Sequence, residues 1–472
     1  MKNILLVIIF GMLYFNVSAN NVSITNLNKT NSTITFDLSW ENSWRNGLTY
    51  HDAVWVFFKQ ASNGGPSWQH VKVLLASADA GYETVVPSDK VGFFVRRSIN
   101  GNGTSSTSVS ATLLGLSGAF QDIKAMGVEM VYVPTGDFFA GDGYSYGRIA
   151  SGDNELESVH ILSNNSLTCG STSNDIQYVT NSGDCENVPS TFPIGYNEFY
   201  CMKYAITQRQ YVDFLNCLNR NQQENRIASE VTGTFVTNMF VLCDSTISIK
   251  GNVVRCDFSI GTGNITFYCD RNNNGVPNEL DDGMARACNY LTTKDWAAYL
   301  DWSGLRPFSF LEVEKASRGT LNAVQGESSW GSTLINSPLA LQNAGMENEK
   351  WVNSTFAGGI ITHYDGVIRV GCNAPSTGAT RELSNASFYG IIDIGNNPGD
   401  FYIPQILSFE AIEGDGTLNS AGASNVNTWP FSSGDSSINI KVTNFYYGIS
   451  DIFYPAPERS EINGGRGVRS NF

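Results

Sequence analysis

A strict alternation of residue types constrains the first part of this chain more than any other feature. Apolar residues at 34, 36, 38 and 40 alternate with polar residues at 35, 37 and 39, which is the period of a half-buried strand. Apolar runs at 53–59, 71–75 and 91–97 follow at strand-like intervals, with Asn/Gly-rich turns between them. Residues 20–122 are therefore predicted to form an all-β, Ig-like sandwich. Nothing in this module indicates catalysis.

Three capping boxes mark helices in the second part, residues 127–472. A Ser or Thr is followed three positions later by a side chain that can return the hydrogen bond, in the pairs Thr207 and Gln210, Thr292 and Asp295, and Ser309 and Glu312. Gly304 and Gly319 are the predicted ends of the last two helices. The remainder is rich in Gly, Asn, Ser and aromatic residues. We therefore expect an α+β domain with loops over a small sheet.

The start of the chain predicts export. Lys2 precedes an apolar run at 4–15, and Val17-Ser18-Ala19 offers the small residues that a signal peptidase reads. We expect a signal peptide at residues 1–19 and a mature protein that is secreted, periplasmic or held at the cell surface. The run is too short to cross a bilayer core of ~30 Å, and no later stretch is long and apolar enough, so no membrane span is expected.

The charge of the chain restricts its partners. The formal net charge is −15. Nucleic acid and anionic membranes both require a positive face on the protein, so neither is expected as a partner. An acidic surface instead suits solubility and the binding of cations.

The cysteines agree with export. All nine lie between Cys169 and Cys372, and disulfides persist in oxidising compartments. Their spacing favours Cys169–Cys185, Cys243–Cys256 and Cys269–Cys288, although a sequence does not determine connectivity. An odd count leaves at least one thiol unpaired within the chain. No CxxC occurs, which disfavours a zinc ribbon or a thioredoxin-type site.

One Asn-rich stretch, DRNNNGVPNELD, has the spacing of a calcium loop. Such a loop places ligands at its first, third, fifth, seventh, ninth and twelfth positions, with Gly at the sixth. The matching residues are Asp270, Asn272, Asn274, Val276 through its carbonyl, Asn278 and Asp281, with Gly275 at the turn. Asn274 replaces a carboxylate, so weak Ca²⁺ binding is expected. The alternative is an Asn/Gly-rich turn without an ion, held by neighbouring cysteines.

Several motifs, taken in order, resemble the formylglycine-generating enzyme (sulfatase-modifying factor) family. They lie at 130–142, 192–216, 296–319, 330–331, 385–397 and 464–469. Within the third segment the matching residues are Trp296, Tyr299, Trp302, Arg306, Glu312, Glu314, Ala316, Arg318 and Gly319. The resemblance covers about residues 127–472 and implies a C-type-lectin-like fold there. The Cys-rich segment with the calcium loop, about 217–290, would be an insertion in it.

The departures from the family concern its chemistry. The family's oxidase binds copper through two cysteines shortly before the closing Gly-Arg motif, and thiolates are the soft ligands that select Cu(I). Here no cysteine follows Cys372. The stretch at 393–400 also departs from the family pattern that helps to hold a calcium ion. Some relatives use iron held by histidines, but His51, His70, His160 and His363 have no partner at short spacing. They are expected to be surface or turn residues, so neither copper nor iron is expected.

Aromatic residues cluster near the C-terminus. In lectin-like folds the C-terminal loops form the outward face, so the resemblance implies a protein or carbohydrate ligand there. The candidate contacts are Trp429, Phe445, Tyr446, Tyr447 and Tyr454. The alternative is that these rings fill a loop-rich core.

Three functions remain open to the sequence. The first is a secreted or surface binding or structural protein that uses this fold without oxidase chemistry. The second is a divergent formylglycine-generating or iron-dependent oxidase. The third is a variable ligand-binding receptor with hypervariable C-terminal loops. The missing cysteine pair favours the first.

Overall fold

The computed structural model describes residues 22–62, 65, 67–116, 120–142, 149–178, 185–334, 340–352, 366–372, 374, 380–404, 408–430, 441–443, 458–470 and 472. Strands account for 35% and helices for 10%, so the chain is mostly β with few helices. The predicted α+β class is therefore correct only in that the chain contains both strands and helices. The predicted calcium loop and all nine cysteines lie within the described residues.

The long strands come first. The first nine are β1 Ser23–Thr30, β2 Thr33–Asn46, β3 Tyr50–Ser62, β4 Gln69–Val71, β5 Val73–Ala78, β6 Tyr82–Val85, β7 Phe93–Arg97, β8 Gly101–Leu113 and β9 Phe120–Val133. Short strands follow: β10 Phe138–Ala140, β11 Ile149–Ser151, β12 Val159–Ile161, β13 Ile176–Tyr178, β14 Phe199–Met202, β15 Val231–Thr232, β16 Phe235–Val236, β17 Val254–Arg255, β18 Tyr268–Cys269, β19 Ala340–Gln342, β20 Lys350–Val352, β21 Gly399–Tyr402, β22 Lys441–Thr443, β23 Asn463–Gly464 and β24 Val468–Arg469. The helices are α1 Gln208–Leu215, α2 Arg220–Glu224, α3 Thr293–Ser303, α4 Phe310–Arg318 and α5 Arg381–Ser384.

One large antiparallel sheet organises the molecule. Its strand order is β24–β14–β9–β3–β2–β8–β5, with β1 beside β2, β4 and β7 beside β3, and β6 beside β7. The sheet curls into a half-barrel. Its N-terminal strands enclose a core that includes Phe36, Leu38, Val56, Phe93 and Val109. The alternating residues of β2 thus face this core, as their period predicts.

Strand β3 is buried on both faces. Val54, Val56 and Phe58 pack into the N-terminal core. The intervening Ala53, Trp55 and Phe57 pack into a second, larger core that extends through the rest of the chain. A strand covered on both sides reads as a continuous apolar run rather than an alternation, which explains the composition of residues 53–58.

Strand β9 joins the two parts that the sequence divides near residues 122–127. It pairs with β3 from Ser62↔Phe120 to Asp52↔Val131 and with β14 through Val131↔Cys201. Strand β14 in turn pairs with the C-terminal β24. The division at this point stays a prediction about domains, while in the structure one strand belongs to both parts.

The predicted capping boxes are present. The side chains of Thr207, Thr292 and Ser309 each accept a hydrogen bond from the backbone N–H three residues on, and the backbone N–H of each donates to the side chain of that residue. Gly304 ends α3 in a left-handed conformation, with φ of 71°, which costs Gly less than other residues. A further capping box, at Asn219 and Gln222, begins α2.

Side chains from the large sheet cap the C-terminal end of α3. Lys59 Nζ donates to Trp302 O at 2.7 Å, and Trp55 Nε1 donates to Ser303 O at 2.8 Å. Arg469 Nη1 donates to the next carbonyl, of Gly304. The last carbonyls of a helix have no partner within it, and the negative end of its dipole favours cations. These three donors therefore attach α3 to the sheet.

No helix among the residues described is long and apolar enough to cross a membrane.

Replacing Lys59 with Met tests this attachment. The change leaves the buried carbonyls of Trp302 and Gly416, each 2.7 Å from Nζ, without a donor. We expect the free energy of unfolding to fall by about 2 to 3 kcal/mol, measured by urea denaturation. The exposed Lys72 provides the control, and Lys72→Met should change stability by less than about 0.5 kcal/mol. Equal losses in the two variants would show that the attachment contributes little.

Candidate functional site

The predicted calcium loop begins at a carboxylate that already has partners. Asp270 is buried, and its Oδ2 accepts from Arg255 Nη1 and from Gly275 N, both at 2.8 Å. Its Oδ1 accepts from Asn274 N at 3.2 Å. Arg255 Nη1 also donates to Asn273 Oδ1 at 2.6 Å. The Arg255 cation therefore occupies a position next to Asp270 where a metal ion would compete with it.

The side chains of the predicted Asn ligands form hydrogen bonds within the turn. Asn272 Oδ1 accepts from Asn274 N at 3.0 Å, and Asn274 Oδ1 accepts from Val276 N at 2.7 Å. Asn278 Oδ1 accepts from Cys269 N at 3.2 Å. Each oxygen retains a second lone pair for a cation. The chain around them is mostly exposed, and Gly275 has φ of 79°, which agrees with its predicted place at the sharp turn.

Three carboxylates at the end of the loop lie close together. One oxygen from each of Glu279, Asp281 and Asp282 lies within 4.8 Å of the others. Only Asp281 was predicted as a ligand. Asp282 is tied to the loop, since it accepts from Arg271 N at 3.2 Å and from Glu279 N at 2.6 Å. Hard oxygen ligands of this kind suit Ca²⁺, so the structure offers a different ligand set from the twelve-residue pattern.

The altered stretch at 393–400 is buried and polar. Asn385 Nδ2 donates to Asp393 Oδ1 at 3.0 Å, and burial raises the pKa of Asp393 to about 6. The Asn396 side-chain amide has no hydrogen-bond partner among the described residues. Arg466, from the closing motif, pairs with Asp400 at 2.9 Å. This region therefore brings two of the sequence motifs into direct contact.

The cysteines do not form the predicted set of disulfides. Cys169 and Cys185 are bonded, as predicted. Cys243, Cys256, Cys269 and Cys288 are free thiols, so the other two predicted pairs are not formed. Cys243 instead contacts Phe240 O and Cys288 contacts Asn289 O. Cys256, Cys269 and Cys288 lie in the same hydrophobic core without being bonded.

The histidines are more buried than expected. His51 is buried in β3 with its ring stacked on Tyr132 at 4.9 Å, and burial lowers its pKa to about 4. The prediction of a surface or turn residue is wrong for His51. His70 is a partner of Lys59 Nζ at 3.2 Å, and His160 bonds Asp137 at 2.7 Å. These three share no common partner, and His363 lies outside the described residues.

Of the five aromatic candidates, one is buried and four lie outside the described residues. Trp429 is 1% exposed and its Nε1 donates to Ile412 O at 3.0 Å. Its indole is therefore part of the core in this structure. Phe445, Tyr446, Tyr447 and Tyr454 lie outside the described residues.

A cavity of about 540 Å³ lies where the large sheet meets α1 and α3. Its size is within the range of small-molecule sites. Both parts of the chain line it: Phe57 and Met126 from β3 and β9, and Asp213, Tyr299 and Trp302 from the two helices. We call it the junction cavity. Sequence analysis missed it, because its walls come from residues far apart in the chain.

Helix α1 presents its polar face to the junction cavity. Arg209, Gln210 and Asp213 line the cavity, and a spacing of three or four residues places them on one side of a helix. The opposite, apolar face is buried in the core. In the sequence, Asp213 is a polar residue opposite the apolar stripe of α1. Such a residue ordinarily lies on the solvated face of a helix, so the pattern did not indicate a site.

Asp213 is a partly buried carboxylate in the wall of the junction cavity. Burial raises its pKa, and Arg209 and Lys124 oppose that shift through their charges, with no hydrogen bond among these effects. Tyr299 lies across from it: burial and then the Asp213 charge raise the pKa of its phenol. An ionised carboxylate that is largely removed from water costs free energy unless a partner compensates for it.

No family model matches this sequence, and no curated protein matches it either.

Replacing Asp270 with Ala tests whether this residue stabilises the loop through Arg255 or through a bound ion. The Arg255 and Asp270 side chains are 5% and 0% exposed, so the variant leaves a buried guanidinium without its carboxylate. We expect a loss of about 3 to 5 kcal/mol in thermal or urea unfolding, with calcium and with chelator alike. The control is Asp281→Asn, which should have little effect in chelator. A loss confined to calcium-containing buffer would show that Asp270 acts as an ion ligand.

Proposed function

We propose that this chain is an exported binding protein that uses a formylglycine-generating-enzyme-like fold without oxidase chemistry. The observation that carries the proposal is the junction cavity, which both parts of the chain line and whose wall includes Asp213, a carboxylate with no hydrogen-bonded partner among the described residues. Ligand sites are typically concave, largely apolar and equipped with a few polar groups. The fold assignment rests on the order of the motifs and on the contacts between them.

The residues that carry the family resemblance have structural roles. Arg306 pairs with Glu312 at 2.6 Å, and both side chains are buried. Arg318 pairs with Glu314 at 2.6 Å and also with Glu327. Such buried pairs require each other, because a single buried charge is costly. Residues of the resemblance therefore account for packing in this chain, which a binding protein on this fold would need as much as an enzyme.

The thiols support the lack of oxidase chemistry. Burial raises the pKa of Cys201 and of Cys372 to about 12, and that of Cys217 to about 11. The thiolate is the form that binds copper, and burial opposes ionisation of these three thiols. We therefore expect neither copper nor iron in the protein.

Calcium has a separate place in this proposal. We propose that the ion binds beside Glu279, Asp281 and Asp282, whose oxygens lie close together, and that it orders the exposed loop that precedes α3. Weak binding, in the extracellular range of about 10⁻⁴ to 10⁻³ M, would suit an exported protein.

Metal analysis distinguishes this protein from an oxidase. We expect purified protein to contain no stoichiometric copper or iron, and to gain thermal stability in millimolar Ca²⁺ by mass action. The double variant Glu279→Gln, Asp281→Asn should lose that gain and keep its stability in chelator. One copper or iron per chain, with substrate-dependent oxygen uptake, would favour the divergent oxidase instead.

Occupation of the junction cavity is tested with a neutral fluorescent probe, N-phenyl-1-naphthylamine. We expect saturable binding with one probe per chain. Ala285 lines the cavity, so Ala285→Trp should abolish binding by filling it, whereas the matched control Ala285→Ser should retain it. Native circular dichroism of both variants excludes misfolding. Absence of probe binding to the unmodified protein would contradict the proposal.

Binding that survives Ala285→Trp would place the ligand elsewhere. That result would favour the variable-receptor alternative, whose ligand contacts are expected in the C-terminal loops.

A further inference from the structure

We infer that the junction cavity selects an organic cation: an amine whose ammonium group pairs with Asp213 and whose apolar body lies against Phe57, Met126 and Trp302. The inference rests on the proposed function and adds the chemical class of the ligand. It depends on the charge of the cavity wall, the state of Asp213 and the character of the surfaces around it.

The charged groups of the cavity wall are mainly acidic. Four carboxylates and one guanidinium line it, namely Glu41, Glu129, Asp213, Glu347 and Arg209. Glu129 is paired with Lys203 at 3.0 Å, and Arg209 is exposed. A concave surface with an excess of one charge focuses its field inward and attracts the opposite charge. The net −15 of the whole chain acts in the same direction.

Asp213 is placed to receive the cation. Its nearest charged neighbours, Arg209 and Lys124, affect it without a hydrogen bond. Lys124 Nζ is engaged elsewhere, 4.3 Å from the centre of the Trp68 ring and 3.8 Å from Cys217 Sγ. A ligand ammonium would give the Asp213 carboxylate the charge-assisted partner that it lacks.

The surfaces beside Asp213 suit an apolar body. Phe57 and Trp302 meet edge to face at 5.2 Å, and Tyr299 lies 5.9 Å from Trp302. All three are almost fully buried, so only a small part of each ring is open to a ligand. Lys59 Nζ lies 4.6 Å from the Trp302 ring centre and already occupies the position of a cation over that ring. Asp213 is therefore the better place for the ligand ammonium.

The alternative of an anionic ligand is less well supported. Such a ligand would have to rely on Arg209 at the rim and would lie among four carboxylates. Like charges at close range oppose binding. A neutral ligand would add no charged partner for the Asp213 carboxylate.

Three probes that share an indole ring test the charge preference: tryptamine, the neutral tryptophol and the anionic indole-3-propionate. Isothermal titration at pH 7 should give a Kd for tryptamine at least about tenfold lower than for tryptophol, with indole-3-propionate weakest. Asp213→Asn should raise the tryptamine Kd to near the tryptophol value and leave tryptophol unchanged. The exposed Glu155 lies outside the cavity, so Glu155→Gln, which removes the same charge, should alter none of the three.

The outcomes separate the two proposals. Equal affinities for tryptamine and tryptophol, both abolished by Ala285→Trp, would overturn the cation preference and leave the binding function standing. A tryptamine preference that persists in Asp213→Asn would overturn the role of Asp213. If none of the indoles and no neutral probe binds, the proposed binding function fails together with the inference.

Discussion

The structure depends on the contact between helix α3 and strand β3. Three successive carbonyls at the end of α3 accept hydrogen bonds from Lys59, Trp55 and Arg469, so the unsatisfied end of a central helix is completed by residues of the large sheet. Arg469 also stacks on the Trp55 ring at 4.2 Å, and its strand closes the edge of that sheet. The N-terminal strands, the central helix and the C-terminal strand are thus fixed by one set of contacts. Because β3 is apolar on both faces, neither part of the chain could expose it without a large hydrophobic cost.

The same helix orders the loop that follows β21. Asp301 accepts from Asp415 N at 3.1 Å, from Ser424 Oγ at 2.8 Å and from Asn425 N at 2.9 Å. Burial raises its pKa to about 6, so near neutral pH it is an ionised group held by directed donors. Gly416 O in turn accepts from Lys59. Helix α3 therefore contacts the Lys59 amine, whose pKa burial lowers to about 7, and carries the buried Asp301 carboxylate. Its Tyr299 and Trp302 form part of the wall of the junction cavity.

The features that could be predicted from the sequence are those that depend on residues close together in the chain. The capping boxes at Thr207, Thr292 and Ser309 and the alternation in β2 involve neighbours along the chain, and each is present. The disulfide Cys169–Cys185 closes a short loop and is also present. Predictions that required distant partners fared differently. Cys269 and Cys288 are unpaired, and Trp429 lies in the core. The contact of Asp270 with Arg255 and the junction cavity depend on how separate segments pack, which residue spacing does not report.

Asp213 shows why such a site escapes sequence reasoning and why it carries functional meaning. On an isolated α1 it would be an ordinary polar residue on a solvated face. Packing of the large sheet near that face converts it into a carboxylate with a raised pKa and, among the residues that the structure describes, no hydrogen-bonded neighbour. Sequences specify folds through mutually consistent local choices, and the exceptions concentrate at functional sites. A neutral side chain at 213 would have avoided the cost of partly burying a charge. The proposed cationic ligand would use the position of Asp213 in the cavity wall, where other carboxylates also lie.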